Sequence, residues 1–269
     1  MIDRPKSANA VYDRLGVGYD RTRRADPTLA AAIARLLDVR HPEPVLDIGC
    51  GTGNYTIAVA DRNVMAIGLD QSTLMLRRAR AKEPRIEWVA GQAEALPFAD
   101  NSFAGVFCTM TLHHLQDFES VFAEIARVLR PGARFVAFTA FPEQARQFWL
   151  NAYFPELMRR AADRMPGRDR IEAAFKGSGL RVAEIEQFNV PRDPIDFVLY
   201  CGRHRPEVYF DAKVRGNIFA FTPLDLAQEV GTGLARLDED LSSGRFAEVA
   251  ASFDDTMGDY VLLVAEKAA

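Results

Sequence analysis

The chain has 269 residues, 48% of them hydrophobic, with 33 basic side chains against 37 acidic ones and a net charge of −4. That length and composition can bury one substantial core, in one large or two small domains, and the acidic balance gives no general pull toward nucleic acid or anionic lipid. No apolar run approaches the ~18 residues of a membrane span, and Met1 to Ala10 lacks a signal-peptide core. A soluble, cytoplasmic protein with a small-molecule partner is therefore expected, with no nucleic acid and no membrane. The three cysteines, Cys50, Cys108 and Cys201, are odd in number and far apart, so neither a disulfide framework nor a zinc spacing emerges. No metal-binding cluster stands out, and metal-independent chemistry is expected.

Residues 1–25 are polar and carry Tyr12-Asp13-Arg14 and Tyr19-Asp20-Arg21 at a seven-residue interval, followed by Arg23-Arg24. Taken alone, they read as a surface helix whose tyrosines cover the core. Asp26-Pro27 starts a helix with the proline in its first turn, and Leu29, Ile33, Leu36 and Leu37 give it an apolar face. His41-Pro42-Glu43-Pro44 then breaks it.

Next comes Val45-Leu46-Asp47-Ile48-Gly49-Cys50-Gly51-Thr52-Gly53-Asn54-Tyr55, which reads as strand, tight turn, helix. Glycines at every second position suit a backbone that takes positive φ or approaches a ligand closely. A dinucleotide fingerprint counted from Gly49 needs its third glycine where Asn54 stands, and a P-loop needs a lysine directly after Gly53. Asp47, just before the glycines, attracts cations and repels phosphate. A ligand carrying an ammonium and a sulfonium fits that field.

Asp-x-Gly-x-Gly-x-Gly resembles the first motif of the class I S-adenosylmethionine-dependent methyltransferases, in particular the group similar to ubiquinone/menaquinone C-methyltransferases. Further segments at matching places extend the resemblance over roughly residues 10–140 and the last strand. It implies S-adenosyl-L-methionine as cofactor, with Gly49, Cys50 and Gly51 in the binding loop. Related enzymes often close an amino-terminal Tyr-Asp segment over the cofactor, which makes Tyr19 or Arg24 a partner for the methionine carboxylate.

The second strand, Val64 to Leu69, ends in Asp70, with Gln71-Ser72 opening the next helix. An acid at the carboxyl end of that strand faces the ligand in a doubly wound sheet, and in the family it holds the adenosyl ribose. Its other reading is a helix cap, a role that Ser72 could equally fill. Helix Thr73 to Lys82 turns arginines outward. Strand three, Ile86 to Val89, leads into Ala90-Gly91-Gln92-Ala93-Glu94, which resembles the family's adenine-binding motif. Here Gln92 replaces the usual acid, a weaker acceptor than a carboxylate, and the Ala93 amide is the other candidate. Glu94 reads either as a site residue or as a capping or salt-bridging one.

Strand four, Ala104 to Thr109, continues into Met110-Thr111-Leu112-His113-His114. It lies beside the first strand across the switch point, so Thr109 and Met110 should border the methionine half of the cofactor. His113 and His114 are the general-base candidates, since imidazole titrates near neutrality; the alternative is that one caps the helix beginning near Gln116. That helix buries Phe118, Val121, Phe122, Ile125, Val128 and Leu129 and ends at Pro131-Gly132. Strand five is Phe135 to Ala140.

After an aromatic helical region over 143–166, helix Arg168 to Lys176 and strand six, Arg181 to Asn189, a helical insertion runs from Pro191 to Thr256 before the closing strand Tyr260 to Glu266. The expected fold is α/β: a Rossmann-like, doubly wound, seven-stranded, mostly parallel sheet with a helical lid. The divisions are a helical cap over 1–40, a binding core over 41–192 completed by 257–269, and a lid over 193–256. Tyr200, Tyr209, Phe210, Phe219 and Phe221 are candidates to line an acceptor cavity, with Arg203-His204-Arg205 binding an acidic group; plain core and a solvated turn are the alternatives. The expected function is methyl transfer from S-adenosylmethionine to a small-molecule acceptor by in-line displacement. A binding protein that keeps the cofactor without chemistry is the alternative, and a nicotinamide oxidoreductase is opposed by the glycine spacing. Neither acceptor identity nor oligomeric state is written in the chain.

Overall fold

The structure is a computed structural model that describes residues 19–40, 42–62, 64–253 and 256–269. Tyr12-Asp13-Arg14 and the rest of residues 1–18 of the expected 1–40 cap therefore lie outside the described residues. The first described elements are α1 (Tyr19–Thr22) and α2 (Pro27–Leu37). The α2 start follows from its sequence: the Asp26 side chain accepts from the Thr28 and Leu29 amides at 2.8 and 2.9 Å, and Pro27 needs no donor there.

The core alternates β1 (Pro44–Ile48), α3 (Asn54–Ala60), β2 (Met65–Asp70), α4 (Thr73–Lys82), β3 (Glu87–Ala90) and β4 (Phe103–Thr109). It continues with α5 (Phe118–Val128), β5 (Leu129–Thr139), α6 (Pro142–Arg146), α7 (Pro155–Arg164), α8 (Arg168–Ser178) and β6 (Leu180–Phe188). Beyond it come α9 (Ala212–Gly216), α10 (Ala227–Ser243), α11 (Phe246–Ala251) and β7 (Tyr260–Lys267). The sheet order is β3-β2-β1-β4-β5-β7-β6, with β7 antiparallel to both its neighbours. This is the expected Rossmann-like α/β fold, and its switch point lies between β1 and β4. Strand five begins earlier than expected, at Leu129, because Leu129 already pairs with Phe103 of β4; the register shifts across Pro131-Gly132, where Gly132 takes φ +75, and pairing with β4 and β7 runs on from Arg134.

Both faces of the central strands are buried, as a parallel sheet requires. Successive residues alternate between two cores: Val45, Phe107, Val136 and Phe138 join one, while Leu46, Val106, Cys108, Phe135 and Ala137 join the other. Helices α5 and α8 cover the second core through Phe122 and Phe175, whose rings meet edge to face at 4.5 Å. The first core is covered by α2, by α7 and by the 193–256 insertion. The insertion is thus continuous with the core of the sheet: Tyr200, Tyr209 and Leu237 in it are fully buried. Among the described residues no helix is long and apolar enough to cross a membrane.

The glycine turn is held against this frame by packing. Gly53 takes φ +78, and a Cβ there would lie 2.3 Å from the Trp88 ring. Gly53→Ala is therefore expected to cost about 1–3 kcal/mol, from the left-handed backbone and overpacking together. Denaturant unfolding checks this, and a midpoint equal to that of the native chain would show that Trp88 moves aside.

Candidate active site

The main cavity among the described residues opens at the carboxyl ends of β1, β2, β3 and β4, with a volume of about 250 Å³ against about 20 Å³ for the next. Its floor is the glycine turn. Gly49 and Cys50 both donate their amides to the Leu69 carbonyl, at 2.8 and 3.0 Å, which closes the turn onto β2. Gly51, at φ +55, has open space where a Cβ would stand. Its amide donates to Asp70 Oδ2 at 2.8 Å, and the Ser72 amide donates to Asp70 Oδ1 at 2.8 Å. Each carboxylate oxygen keeps a further lone pair for a ligand. Burial raises the Asp70 carboxyl, while the amides of Ser72, Gly51 and Gln71 oppose that rise. The helix cap itself is Ser72, whose hydroxyl accepts from the Met75 amide at 3.3 Å.

On the β4 side the chain turns at Met110, which takes φ +51 and donates its amide to the Phe138 carbonyl at 2.8 Å. The turn sets Thr111 against Gly49 and starts a short 3-10 helix, Leu112–His114. His113 and His114 line the cavity with ring centroids 3.9 Å apart. Burial, then the neighbouring imidazole and the charges of Arg164 and Arg23, hold His113 well below the usual histidine range. Burial and Arg164 bring His114 down to about 4. Both rings are neutral near pH 7. Neither caps α5, because Asp117 does so, accepting from the Ser120 amide at 3.0 Å.

The roof comes from three places distant in sequence. Tyr19 and Arg23 of the amino-terminal segment reach the cavity, and so do Leu157, Arg160, Ala161 and Arg164 along one face of α7. The insertion adds Leu199, Asn217, Ile218, Phe219 and Leu226. The roof is tied down by Arg23, paired with Asp196 at 2.5 Å, and by the Tyr55 hydroxyl donating to the same carboxylate at 2.9 Å. Below it, Asp20 accepts from Thr52, Asn54 and Lys82.

Residues 46–137 match the family described as Methyltransferase domain, and residues 4–87 match protein-L-isoaspartate(D-aspartate) O-methyltransferase. The demethylmenaquinone methyltransferase of Paenarthrobacter aurescens is 32% identical over 165 residues, covering 58% of this chain and 63% of that one, so the match spans just under two thirds of its length. That of Beutenbergia cavernae is 33% identical over 171 residues, covering 61% of this chain and 68% of that one. A crystal structure from Anabaena variabilis, assigned as a methyltransferase of an antibiotic biosynthesis pathway, superposes with a TM-score of 0.79 at 30% identity, covering 92% of this chain and 99% of that one. The chain belongs to the class I S-adenosylmethionine-dependent methyltransferases.

The residues present fit the family's cofactor, S-adenosylmethionine. Open space over Gly51 admits a ligand against bare backbone, and the nearby carboxylate of Asp70 has unused acceptor sites. Of the expected cofactor residues, Tyr19, Gly49, Gly51, Asp70, Gln71, Gln92, Ala93, Glu94, Thr109 and Met110 line the cavity. Glu94 is exposed, so it is not a core-facing residue.

Three others are placed elsewhere. Arg24 is exposed and outside the lining; Arg23 takes its place, because a helical turn sets residues four apart on one face and Arg23 therefore follows Tyr19. Cys50 packs under the turn with Leu76, Ala79 and Trp88. Asp47 is buried on the opposite pleat from Ile48, which does line the cavity. The Thr56 hydroxyl donates to Asp47 Oδ2 at 2.6 Å, while Oδ1 has no hydrogen-bond partner among the described residues. Burial pushes this carboxyl up to about 7, so it is a weaker anion than the sequence implies.

The basic cluster is likewise engaged within the protein. Arg203 pairs with Asp259 and lies over the Phe148 ring at 4.6 Å, Arg205 meets Asp193 and Glu207, and His204 is exposed. Of the five insertion aromatics only Phe219 lines the cavity. Tyr200 and Tyr209 are core, Phe221 packs on Phe154, and Phe210 faces solvent. The α7 face was missed, although Leu157, Ala161 and Arg164 recur at helical spacing in the sequence. Among the described residues no group of His, Cys, Asp or Glu is placed to hold a metal ion.

The Asp47 carboxyl binds its proton more tightly folded than unfolded, where it titrates near ~3.9. Folded stability therefore falls as pH rises between that value and about 7. Asp47→Asn removes this slope. In cofactor-free thermal melts the variant should gain on the native chain from about pH 5 to about pH 7.5, and parallel pH profiles would show that this carboxyl titrates normally.

Proposed function

We propose that the chain transfers a methyl group from S-adenosylmethionine to a small, apolar acceptor held beneath the α7 and insertion roof. One observation carries this reading: a single cavity runs from Gly51 and Asp70 at the strand ends to the apolar face of α7, so cofactor and acceptor can meet inside it. Asp70 accepts the ribose hydroxyls, with Gln71 beside it. The Gln92 amide oxygen and the Ala93 amide serve the adenine edge, flanked by Glu94. Gly49 and Gly51 offer backbone to the methionine portion, and Tyr19 with Arg23 meets its carboxylate. Thr109 and Met110 border the place of transfer.

When bound, the sulfonium supplies an electrophilic methyl group. The contribution of the chain is then alignment of the acceptor and exclusion of water, for which the buried roof is suited. His113 and His114 are uncharged at neutral pH and so are ready to accept a hydrogen bond from the acceptor. Where a proton must leave, a base so placed adds ~10²–10⁴-fold, although imidazoles held this far down hold that proton weakly. The names of the demethylmenaquinone methyltransferase relatives make a reduced quinone ring the first acceptor to assay.

Incubation with methyl-labelled S-adenosylmethionine and a reduced demethylmenaquinone analogue should yield labelled product and S-adenosylhomocysteine. Tight cofactor binding with no product across a broad acceptor panel would favour a binding protein instead. Asp70→Ala should weaken S-adenosylhomocysteine binding at least about tenfold by calorimetry, since hydrogen bonds to a charged group are worth ~1.5–3 kcal/mol. Unchanged affinity in a folded variant would remove Asp70 from the ribose site.

A further inference from the structure

The amino-terminal segment is fastened on two sides. Toward the glycine turn, Asp20 accepts from Thr52, Asn54 and Lys82, and the Asn54 side chain also donates to the Arg23 carbonyl at 2.6 Å. Toward the insertion, the Thr22 carbonyl accepts from the Phe197 amide at 2.7 Å, and the Thr22 hydroxyl accepts from Asn217 at 2.7 Å. Arg23 stands between these anchors. It lines the cavity, whereas Asp196, its partner in the insertion, does not.

The way the pair is made decides what the cavity receives. Arg23 uses Nε to donate to Asp196 Oδ1 at 2.5 Å, and its guanidinium lies over the Tyr19 ring at 5.3 Å. Asp196 is itself held in place: the Tyr55 hydroxyl donates to its Oδ2 at 2.9 Å and accepts from the Asp26 amide at 3.3 Å. A guanidinium carries its five donors in one plane, so an anchored Nε and a covered face fix the direction of the two terminal nitrogens. Neither of these donates to another of the described residues. An arginine free to rotate would give up rotamer freedom on clamping a carboxylate, and one anchored beforehand has already done so. The pair is neutral as a whole, and so is an amino acid portion with one carboxylate and one ammonium. What Asp196 supplies is therefore direction and not net attraction.

We infer that Asp196 is a positioning residue for the cofactor: by holding Nε of Arg23 it turns the terminal nitrogens of that arginine to the methionine carboxylate, so that the insertion as well as the sheet sets cofactor affinity. This rests on the reading above that Arg23 meets that carboxylate. Asp196 acts only through Arg23.

Two ligands separate orientation from folding: S-adenosylhomocysteine, which has the carboxylate, and methylthioadenosine, which keeps the nucleoside and thioether without the amino acid portion. Both are titrated into the full chain by calorimetry. Asp196→Ala should weaken S-adenosylhomocysteine at least about tenfold, ~1.4 kcal/mol, and leave methylthioadenosine unchanged. Asp196→Asn keeps an oxygen for Nε without the charge and should restore most of the loss. Arg23→Gln should lower S-adenosylhomocysteine affinity at least as far, and adding Asp196→Ala to it should bring no further loss. Retained methylthioadenosine binding shows that each variant is folded. Tighter S-adenosylhomocysteine binding by both the Ala and the Asn variants would make Asp196 a competing anion and overturn the inference. Parallel loss of both ligands would make the pair a structural tie and overturn it too, as would additive losses in the double variant. Native affinity in Asp196→Ala beside a weakened Arg23→Gln removes the inference alone. If Arg23→Gln leaves S-adenosylhomocysteine unaffected, the carboxylate assignment falls and the inference with it, and a native chain that binds neither ligand ends the methyltransferase reading itself.

Discussion

The carboxylate of Asp70 accepts the Gly51 amide on one oxygen and the Ser72 amide on the other, both at 2.8 Å. One side chain at the end of β2 thereby pins the turn after β1 and the start of α4. The pairing of β1 with β2, from Pro44 opposite Met65 to Ile48 opposite Leu69, sets the register that allows this. A slip of one residue would turn Asp70 to the other face of the sheet and leave two part-buried amides without that acceptor. Because both faces of the central strands are apolar core, polar groups can gather only where the strands end. The location of the cavity follows from that constraint.

The opposite side of the cavity is built on different physics. Its roof is an extension of one hydrophobic core, carrying Tyr153, Tyr200, Tyr209 and Phe154 fully buried behind the lining. Rigid aromatic packing of this kind fixes where α7 presents Arg160 and Arg164. Across the gap, the Arg23–Asp196 pair joins the amino-terminal segment to the insertion, reinforced by the Phe197 amide donating to the Thr22 carbonyl at 2.7 Å. A buried pair of this sort contributes more to defining one arrangement than to net stability, since desolvation offsets much of its attraction. Burial acts in the same way on His113, His114 and Asp47, shifting each toward its uncharged form.

Much of this was legible in the chain. Thr73 to Lys82 as a helix, the acid closing the second strand and the alternation of strand with helix over the first five strands follow from local periodicity and caps, whereas the position of β7 between β5 and β6, antiparallel to both, does not. Within the turn, all three glycines take positive φ, yet only Gly51 faces open space. Gly49 is required by Thr111 and Gly53 by Trp88, neighbours that arrive from other strands. Charge was the least readable property. Asp47 reads as an anion facing a cationic ligand but is buried off the cavity, while Arg203 reads as binding an acidic group or as part of a solvated turn but is paired with Asp259.

The sequence by itself determined the alternation of strand and helix, the doubly wound sheet and the place of the cofactor loop, because these rest on interactions within a few residues or on the period of apolar positions. Only the tertiary structure decided which side chains enter the cavity and which carry charge there. Arg23, His113, Arg164 and Phe219 come from four separate elements, and no local rule brings them together. Their ionisation depends on burial and on neighbours far along the chain, quantities that exist only once the core has closed around them.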